Sequence, residues 1–246
     1  MNIFEIFSKD YPHKKAIRLF NEGVKENEQE NYPKALNKFL QALQFSEKAN
    51  TNQAKKNELI VPILFLIAFV RGKLNQFELA EQAITRAILL SPSDARLLCR
   101  LGDLKLDQGH FEEAVPIFDQ AIKLNPLNTD SHFSRSLCMM ELKRFKEAIS
   151  DIEIVLKTHP NHLDALFHLA FIYEELKEYN TAITFYDKVI GLNNKDNKAF
   201  VNRGNCKIEL GQNTEACKDF YIALELGDQL VQENIDEFCK GLLERH

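Results

Sequence analysis

The chain has 246 residues, of which 45% are hydrophobic and 27% are charged, with only 9 Gly and 7 Pro. This composition is too apolar for a disordered chain and too poor in Gly and Pro for a fibrous one, so it favours a helix-rich globular protein. The formal net charge is -5. Because an acidic molecule repels polyanions, we expect no nucleic-acid partner.

The N-terminal sequence and the apolar runs predict neither export nor membrane insertion. The first 15 residues lack the basic start and the apolar core of a secretion signal. The longest apolar run, residues 59–70, is shorter than the roughly 20 residues that a helix needs to cross a bilayer. The five cysteines are scattered without a C-x-x-C pair, which predicts reduced thiols in a cytoplasmic protein.

A 34-residue period runs through most of the chain. An aromatic residue stands three positions before most of its alanines, and apolar residues stand four and seven positions after them. Since offsets of four and seven fall on one face of a helix, each period contains a helix with a buried stripe. A second periodic stretch precedes each alanine, so each period predicts two antiparallel helices. The alanines are Ala80, Ala114, Ala148, Ala182 and Ala216.

These columns resemble the tetratricopeptide repeat family. The best match to the family template is Leu98, Leu101, Gly102, Phe111, Ala114, Phe118, Ala121 and Pro126. The resemblance implies an all-α fold, a right-handed α-solenoid (superhelix) of helix-turn-helix repeats with a C-terminal capping helix. A further column of small residues predicts where the two helices of a repeat approach closely: Ala68, Gly102, Ser136, Ala170 and Gly204.

The register divides the chain into six repeats and two terminal segments. Ala35 lies 45 residues before Ala80, so the first repeat carries an insertion, whose polar sequence predicts a helix extension followed by a loop. Asp228 is a candidate N-cap of the last helix. The predicted divisions are an N-terminal segment 1–15, repeats 16–47, 61–94, 95–128, 129–162, 163–196 and 197–228, the insertion 48–60, and the capping helix 229–246.

Arginine replaces the leucine of the repeat pattern at two positions. Arg135 and Arg203 stand where the family has Leu, which predicts a more polar or looser contact there.

The N-terminal segment has two interpretations: it covers the open end of the first repeat, or it docks a partner. The apolar residues that would do either are Ile3, Phe4, Ile6 and Phe7.

No catalytic or metal-binding motif stands out. His159 and His162 lie on an inter-repeat turn, where no helix fixes their geometry for a metal. Most cysteines fall at regular helical offsets, as small buried packing residues do, and Cys99 is the one thiol whose reactivity we would test. We therefore expect no enzyme activity, no cofactor and no metal.

The resemblance also implies a binding surface, because in this family the first helices of successive repeats line a concave groove. At the groove-facing offsets, acidic residues such as Glu174, Glu175 and Glu209 outnumber basic ones. We predict a ligand with apolar anchors and some positive charge, with a local spot for a carboxylate. The predicted partner-binding residues are Phe65, Phe69, Phe133, Leu137, Phe167 and Phe171, with Arg96, Arg100, Asn202 and Asn205 for ligand backbone or carboxylate.

The function that these features favour is a non-enzymatic scaffold or adaptor that binds a peptide or a partner protein in the groove. The clamp by which one family subclass holds chaperone C-termini is absent, because its positions are occupied by residues such as Cys99, Asp103 and Ser134. The alternative is a structural self-assembly module, in which the apolar residues and the ends of the chain pair with other copies in a homo-oligomer. No membrane partner is predicted.

Overall fold

The structure is a computed structural model that describes the backbone of residues 3–239 and the side chains of residues 11–239. Within this part of the chain the secondary structure is entirely helical, and none of the helices is long and apolar enough to span a bilayer. The helices are α1 (Ile3–Glu28), α2 (Tyr32–Lys48), α3 (Gln53–Lys73), α4 (Phe77–Leu90), α5 (Ala95–Asp107), α6 (Phe111–Leu124), α7 (Thr129–Glu141), α8 (Phe145–Thr158), α9 (Leu163–Glu175), α10 (Tyr179–Leu192), α11 (Asn197–Glu209), α12 (Asn213–Glu225) and α13 (Gln232–Phe238).

The helices pack as consecutive pairs within two compact units. The units are Met1–Cys138 and Met139–His246, and the division falls inside α7. In the first unit α1 packs with α2, α3 with α4 and α5 with α6; in the second, α9 packs with α10 and α11 with α12. The predicted all-α solenoid of helix-pair repeats is therefore confirmed.

The predicted columns form the interior of each repeat. All five alanines of the 34-residue register are fully buried. The small-residue column allows close approach, because a Cβ atom on Gly102 would lie 2.6 Å from the ring of Phe118, and one on Gly204 would lie 2.5 Å from the ring of Phe220. The two helices of these repeats therefore meet where the small residue stands, as predicted.

In each of the five repeats after the first, the turn between the two helices is set by one residue in the left-handed conformation. These residues also recur every 34 positions, and their φ angles lie between 57° and 75°. The turn closes the preceding helix with backbone hydrogen bonds, such as the one from Gln76 N to Arg71 O at 2.8 Å. Only two of the five are glycine, so the residue type does not identify this position in the sequence. The five residues are Asn75, Gly109, Lys143, Lys177 and Gly211.

The polar contact predicted at Arg203 is confirmed as an ion-pair cluster. Arg203 donates to both carboxylate oxygens of Asp219 on α12, from Nε at 2.9 Å and from Nη2 at 2.5 Å. Lys207 adds a third bond to Asp219 at 2.7 Å, and Arg203 Nη1 donates to Asp187 at 2.6 Å. The Asp219 side chain is only 3% exposed, so this cluster replaces apolar packing inside the second unit.

The insertion after the first repeat is mostly helical, and the prediction of a loop was wrong for most of it. Helix α2 ends at Lys48 and α3 begins at Gln53, which leaves residues 49–52 as the connection. The side chain of Asn52 caps α3 by accepting a hydrogen bond from Lys55 N at 2.8 Å. The Gln, Ala, Lys and Glu residues that follow favour helix, so α3 has 21 residues where α5 has 13.

The N-terminal segment 1–15 is not separated from the first repeat in the part of the backbone that the structure describes. Helix α1 begins at Ile3 and continues without interruption to Glu28. The side chains of Ile3, Phe4, Ile6 and Phe7 lie outside the described residues, so the two interpretations of this segment stay predictions.

The capping segment begins with a 3-10 turn, Gln229–Val231, and continues as α13. Asp228 caps this turn as predicted, accepting a hydrogen bond from Leu230 N at 3.1 Å. Val231 and Ile235 are buried against α12. Leu242, which the sequence places on the same apolar seam, lies outside the described residues.

The prediction that all cysteines are reduced thiols was wrong for two of them. Cys217 on α12 and Cys239, directly after α13, form a disulfide with their Cα atoms 5.6 Å apart. Their separation of 22 residues follows no known motif, so only the packing of the cap on the last repeat could reveal the pair. The cysteine pattern consequently no longer supports the expected reducing, cytoplasmic compartment.

Candidate functional site

The predicted partner-binding residues lie on the first helices of the repeats, and they fall into two groups, one in each unit. The first group lies on α3, α5 and α7: Phe65, Phe69, Arg96, Arg100, Phe133 and Leu137. The second group lies on α9 and α11: Phe167, Phe171, Asn202 and Asn205.

Two cavities adjoin each other in the first unit and share Phe65 and Arg96. We call them together the Phe65–Arg100 surface. The apolar cavity has a volume of about 300 Å³ and is lined by Val61, Pro62, Phe65, Leu66, Asp94, Arg96 and Leu97. The polar cavity has a volume of about 320 Å³ and is lined by Phe65, Arg96, Cys99, Arg100, Asp103, Asn128 and Asp130. The surface therefore places an apolar recess beside a polar one.

Arg100 is the most unusual side chain of the polar cavity. It is only 10% exposed, and its Nε atom has no hydrogen-bond partner among the described residues. Asp103 Oδ2 lies 3.9 Å from Nη1, which is too far for a hydrogen bond. The guanidinium lies over the ring of Phe69, 5.2 Å from its centroid. Arg100 is therefore a buried cation whose Nε donor is not used by the described residues.

Asp103 compensates the charge of Arg100 only weakly. It accepts a hydrogen bond from Ser134 Oγ at 2.8 Å. Burial nevertheless raises the pKa of Asp103, because the ionised carboxylate is poorly solvated there. Burial also lowers the pKa of Arg100 for the corresponding reason. An anion bound in this cavity would stabilise the charged guanidinium and so oppose the lowering of the Arg100 pKa.

Arg96 is held at the rim of the apolar cavity by Asp94. Its Nε and Nη2 atoms donate to the two carboxylate oxygens of Asp94 at 3.0 and 2.7 Å. Asp94 also caps α5, since it accepts from Arg96 N at 3.0 Å. The Arg96 side chain is 78% exposed, so it can reach a ligand only by sharing its guanidinium with Asp94.

Cys99 is not activated as a nucleophile. It is buried, and burial raises the pKa of its thiol to about 12. Since the thiolate is the reactive form, this environment opposes the thiol chemistry that the sequence left open.

The phenylalanines predicted to bind a partner also pack against the protein interior. Phe65 and Phe69 are partly buried against the core of the first unit. Phe20 packs on Phe39 with ring centroids 6.0 Å apart. Phe133 and Leu137 on α7 are also partly buried. Only part of each side chain is therefore available to a partner.

In the second unit the predicted residues join an internal polar network. Phe167 packs edge-on against Tyr186 at 5.6 Å, while Phe171 is partly buried on the same helix. Tyr186 Oη donates to Glu174 at 2.7 Å and accepts from Asn202 Nδ2 at 3.1 Å. Asn202 was predicted to contact ligand, and in the structure its amide N–H group donates to Tyr186 of the preceding repeat.

Asn205 is likewise engaged, because its Oδ1 atom accepts a hydrogen bond from Asn234 of the cap at 3.0 Å. It lines a cavity of about 410 Å³ in the second unit. The sequence had marked the three glutamates of this cavity as groove-facing, but it did not predict that Phe238 of α13 forms part of the wall. The lining residues are Glu174, Glu175, Lys177, Tyr179, Asn205, Ile208, Glu209 and Phe238.

The His159 and His162 turn has a structural role. His162 is the N-cap of α9, and its Nδ1 atom accepts a hydrogen bond from Ala165 N at 3.2 Å. Among the described residues, no group of three or more His, Cys, Asp or Glu side chains is arranged to hold a metal ion.

Family models and solved structures match this arrangement. A tetratricopeptide repeat model matches residues 99–153, and a second model of that repeat matches residues 61–94 and 163–196. The matched ranges together make up half of the chain. No curated protein sequence is significantly similar to it.

Three solved structures illustrate the similarity of fold. PilF of Pseudomonas aeruginosa has a TM-score of 0.72 at 16% identity, over 92% of this chain and 98% of that one. MamA of Desulfovibrio magneticus RS-1 has a TM-score of 0.64 at 19% identity, over 68% and 94%. YrrB, described as a repeat protein with an unusual peptide-binding site, has a TM-score of 0.61 at 17% identity, over 71% and 90%. At such identities the likeness concerns the fold alone.

Proposed function

Because the chain belongs to the tetratricopeptide repeat family, whose fold typically serves as a protein-interaction module, we propose that it is a non-catalytic scaffold that binds a segment of a partner protein at the Phe65–Arg100 surface. The observation that carries this proposal is the Arg100 guanidinium, which is buried at the edge of a cavity and whose Nε atom has no hydrogen-bond partner among the residues that the structure describes. A buried donor without a partner costs free energy in the unbound protein, and a ligand that accepts its hydrogen bonds recovers it.

The two adjoining cavities specify what such a segment carries. An apolar side chain fits the recess between Phe65, Leu66 and Leu97. A carboxylate or a backbone carbonyl next to it accepts hydrogen bonds from the Arg100 guanidinium, and such charge-assisted bonds are stronger than neutral ones. The peptide-binding site described for YrrB shows that a protein of this fold can hold a peptide. The positive charge predicted for the ligand stays a prediction, and Asp103 and Asp130 also line the polar cavity.

The proposal is tested with an array of random twelve-residue peptides and the full chain. We expect bound peptides to share an apolar residue next to Asp, Glu or a free C-terminus. Phe65→Ala weakens binding of a selected peptide by at least about tenfold, as expected for a central aromatic anchor. Replacing the acidic residue of the peptide by its amide weakens binding for a different reason, because it removes the charge that faces Arg100.

Leu89→Ala is the matched control, because Leu89 is 78% exposed on α4 and lines neither cavity. It leaves binding unchanged. If Phe65→Ala and Leu89→Ala both fold and bind the peptide equally well, the proposal of partner binding at this surface is wrong. Light scattering of the free chain across concentration separates this function from self-assembly, since assembly requires the mass to rise with concentration.

A further inference from the structure

In the described part of the C-terminal cap, residues 229–239, few contacts other than the disulfide hold it to the last repeat. Helix α13 has seven residues, too few to be stable in water without tertiary contacts. Two apolar side chains of the cap, Val231 and Ile235, are buried against the last repeat. One side-chain hydrogen bond links Asn234 to Asn205. The seating of the cap therefore depends strongly on the Cys217–Cys239 bond.

The cap also forms part of a cavity wall. Phe238 lines the cavity of about 410 Å³ together with Tyr179 and Glu209. It directly precedes Cys239 in the chain, and its carbonyl oxygen lies 3.7 Å from Cys217 Sγ. The position of the Phe238 ring is consequently fixed by the same bond that fixes the cap.

We propose that the Cys217–Cys239 pair is a thiol–disulfide switch that seats the C-terminal cap when it is oxidised and releases the cap, with the Phe238 wall of the cavity, when it is reduced. The disulfide joins residues that are 22 positions apart in the chain. Closing a loop of this size strongly lowers the conformational entropy of the released cap and so disfavours release. With two thiols, the described residues of the cap oppose release through the packing of Val231, Ile235 and Phe238 and through the Asn234 bond. The inference does not depend on the proposed partner site in the first unit.

The chemistry requires a low-molecular-weight thiol and its disulfide as the co-reactants. A thiolate of a dithiol attacks one protein sulfur, the bond between Cys217 and Cys239 breaks, and the second thiol of the reductant displaces the protein from the mixed disulfide. The products are two protein thiols and a cyclic disulfide. Oxidised glutathione reverses the change: two electrons pass from the protein thiols, whose two protons end on the two released glutathione thiols.

Burial of both cysteines explains how such a switch is protected. Cys217 is fully buried and Cys239 is 3% exposed, so a reductant reaches the bond only when the cap opens. Reduction then removes the cross-link that favours the return of the cap to its position on the last repeat. We therefore expect slow reduction followed by a persistent change in the cap, and no rapid exchange in the seated state.

Hydrogen exchange of the full chain in oxidised glutathione and in dithiothreitol tests the proposal. Reduction speeds exchange of the backbone amides in residues 229–239 by on the order of 100-fold, the factor expected from losing a cross-link of this loop length. Amides of α5 in the first unit do not change. Cys239→Ser exchanges fast in both conditions, and Cys99→Ala, which alters a buried cysteine outside the pair, behaves like the parent chain.

A fluorescence reporter provides a second measurement, independent of hydrogen exchange. The chain contains no Trp, so Phe238→Trp places a single indole in the cavity wall. Its emission moves to longer wavelength on reduction, and adding Cys239→Ser abolishes the response. The proposal is overturned if the oxidised chain retains five alkylatable thiols after unfolding, or if cap exchange and the indole emission of the Phe238→Trp variant are the same in both conditions.

Discussion

Helix pairs α5–α6 and α11–α12 follow one template but use their arginines differently. Both pairs place a glycine against a phenylalanine ring, Gly102 against Phe118 and Gly204 against Phe220. Arg203 then makes two hydrogen bonds to the buried Asp219, whereas Arg100 is buried beside a cavity and its Nε atom has no partner in the described part of the chain. The repeated columns thus set the packing of each pair. Arg203 occupies the column that holds Leu101 in α5, so its charge is paired inside the fold, whereas Arg100 lies outside the columns and faces a cavity.

The largest effect that this comparison predicts is the loss of Asp219. Asp219→Ala leaves Arg203 and Lys207 without their shared carboxylate, so the free energy of unfolding falls by about 3 kcal/mol. Asp187→Ala removes an exposed contact of the same arginine, since Asp187 is 54% exposed, and costs under about 1 kcal/mol. Urea unfolding measures both. Equal losses would contradict a structural role for the buried cluster.

The shared glycine contact is tested next. Gly204→Ala forces the new Cβ into the ring of Phe220 and lowers stability by about 1 to 2 kcal/mol, since overpacking outweighs the gain in helix propensity. Gly191→Ala on α10 has no atom within 4 Å of the added Cβ, so it stabilises by about 0.5 kcal/mol. Thermal melts of the two variants shift in opposite directions. A shift in the same direction would show that the close contact does not constrain the pair.

The repeat turns differ between the helix pairs as well. The pairs α5–α6 and α11–α12 have glycine at the left-handed position, while Lys143 occupies it in another repeat with φ 57°. Because a side chain is strained there, Lys143→Gly raises the free energy of unfolding by about 1 kcal/mol. Lys146→Gly, inside α8, lowers it by about 1 kcal/mol. If urea unfolding showed that Lys143→Gly lowers the free energy of unfolding, the left-handed backbone at Lys143 would not be strained.

The smallest effect concerns Arg100 itself. If Arg100 serves a ligand and not the fold, Arg100→Met changes stability by less than about 1 kcal/mol, because an apolar side chain of similar length removes an unsatisfied buried donor while losing the contact with Phe69. Circular dichroism during urea titration measures this. A loss as large as that of Asp219→Ala would make Arg100 a structural residue.

The sequence predicted features that repeat and missed those that occur once. The 34-residue alanine and small-residue columns located the helix pairs because every repeat buries the same face. The lengthened α3 was missed because a polar insertion predicts a loop equally well. The Cys217–Cys239 disulfide depends on where a single cap packs, and no periodicity reports that.

The candidate site was predicted in part for the same reason. Family offsets placed Phe65 and Arg100 on first helices, and the structure brings them to adjoining cavities. The offsets could not show that Asn202 and Asn205 bond to Tyr186 and Asn234. Such bonds depend on the chemistry of neighbouring side chains, which the offsets ignore.

The most direct measurement of partner binding is photo-cross-linking of a selected peptide whose apolar residue is replaced by photo-leucine. Mass spectrometry of the cross-linked full chain identifies the residues within reach of that side chain. The proposed site predicts cross-links to Phe65, Leu66 or Leu97, which line the apolar cavity, and their loss when unlabelled peptide competes. Competed cross-links confined to other helices, with α3 and α5 unlabelled, would contradict it.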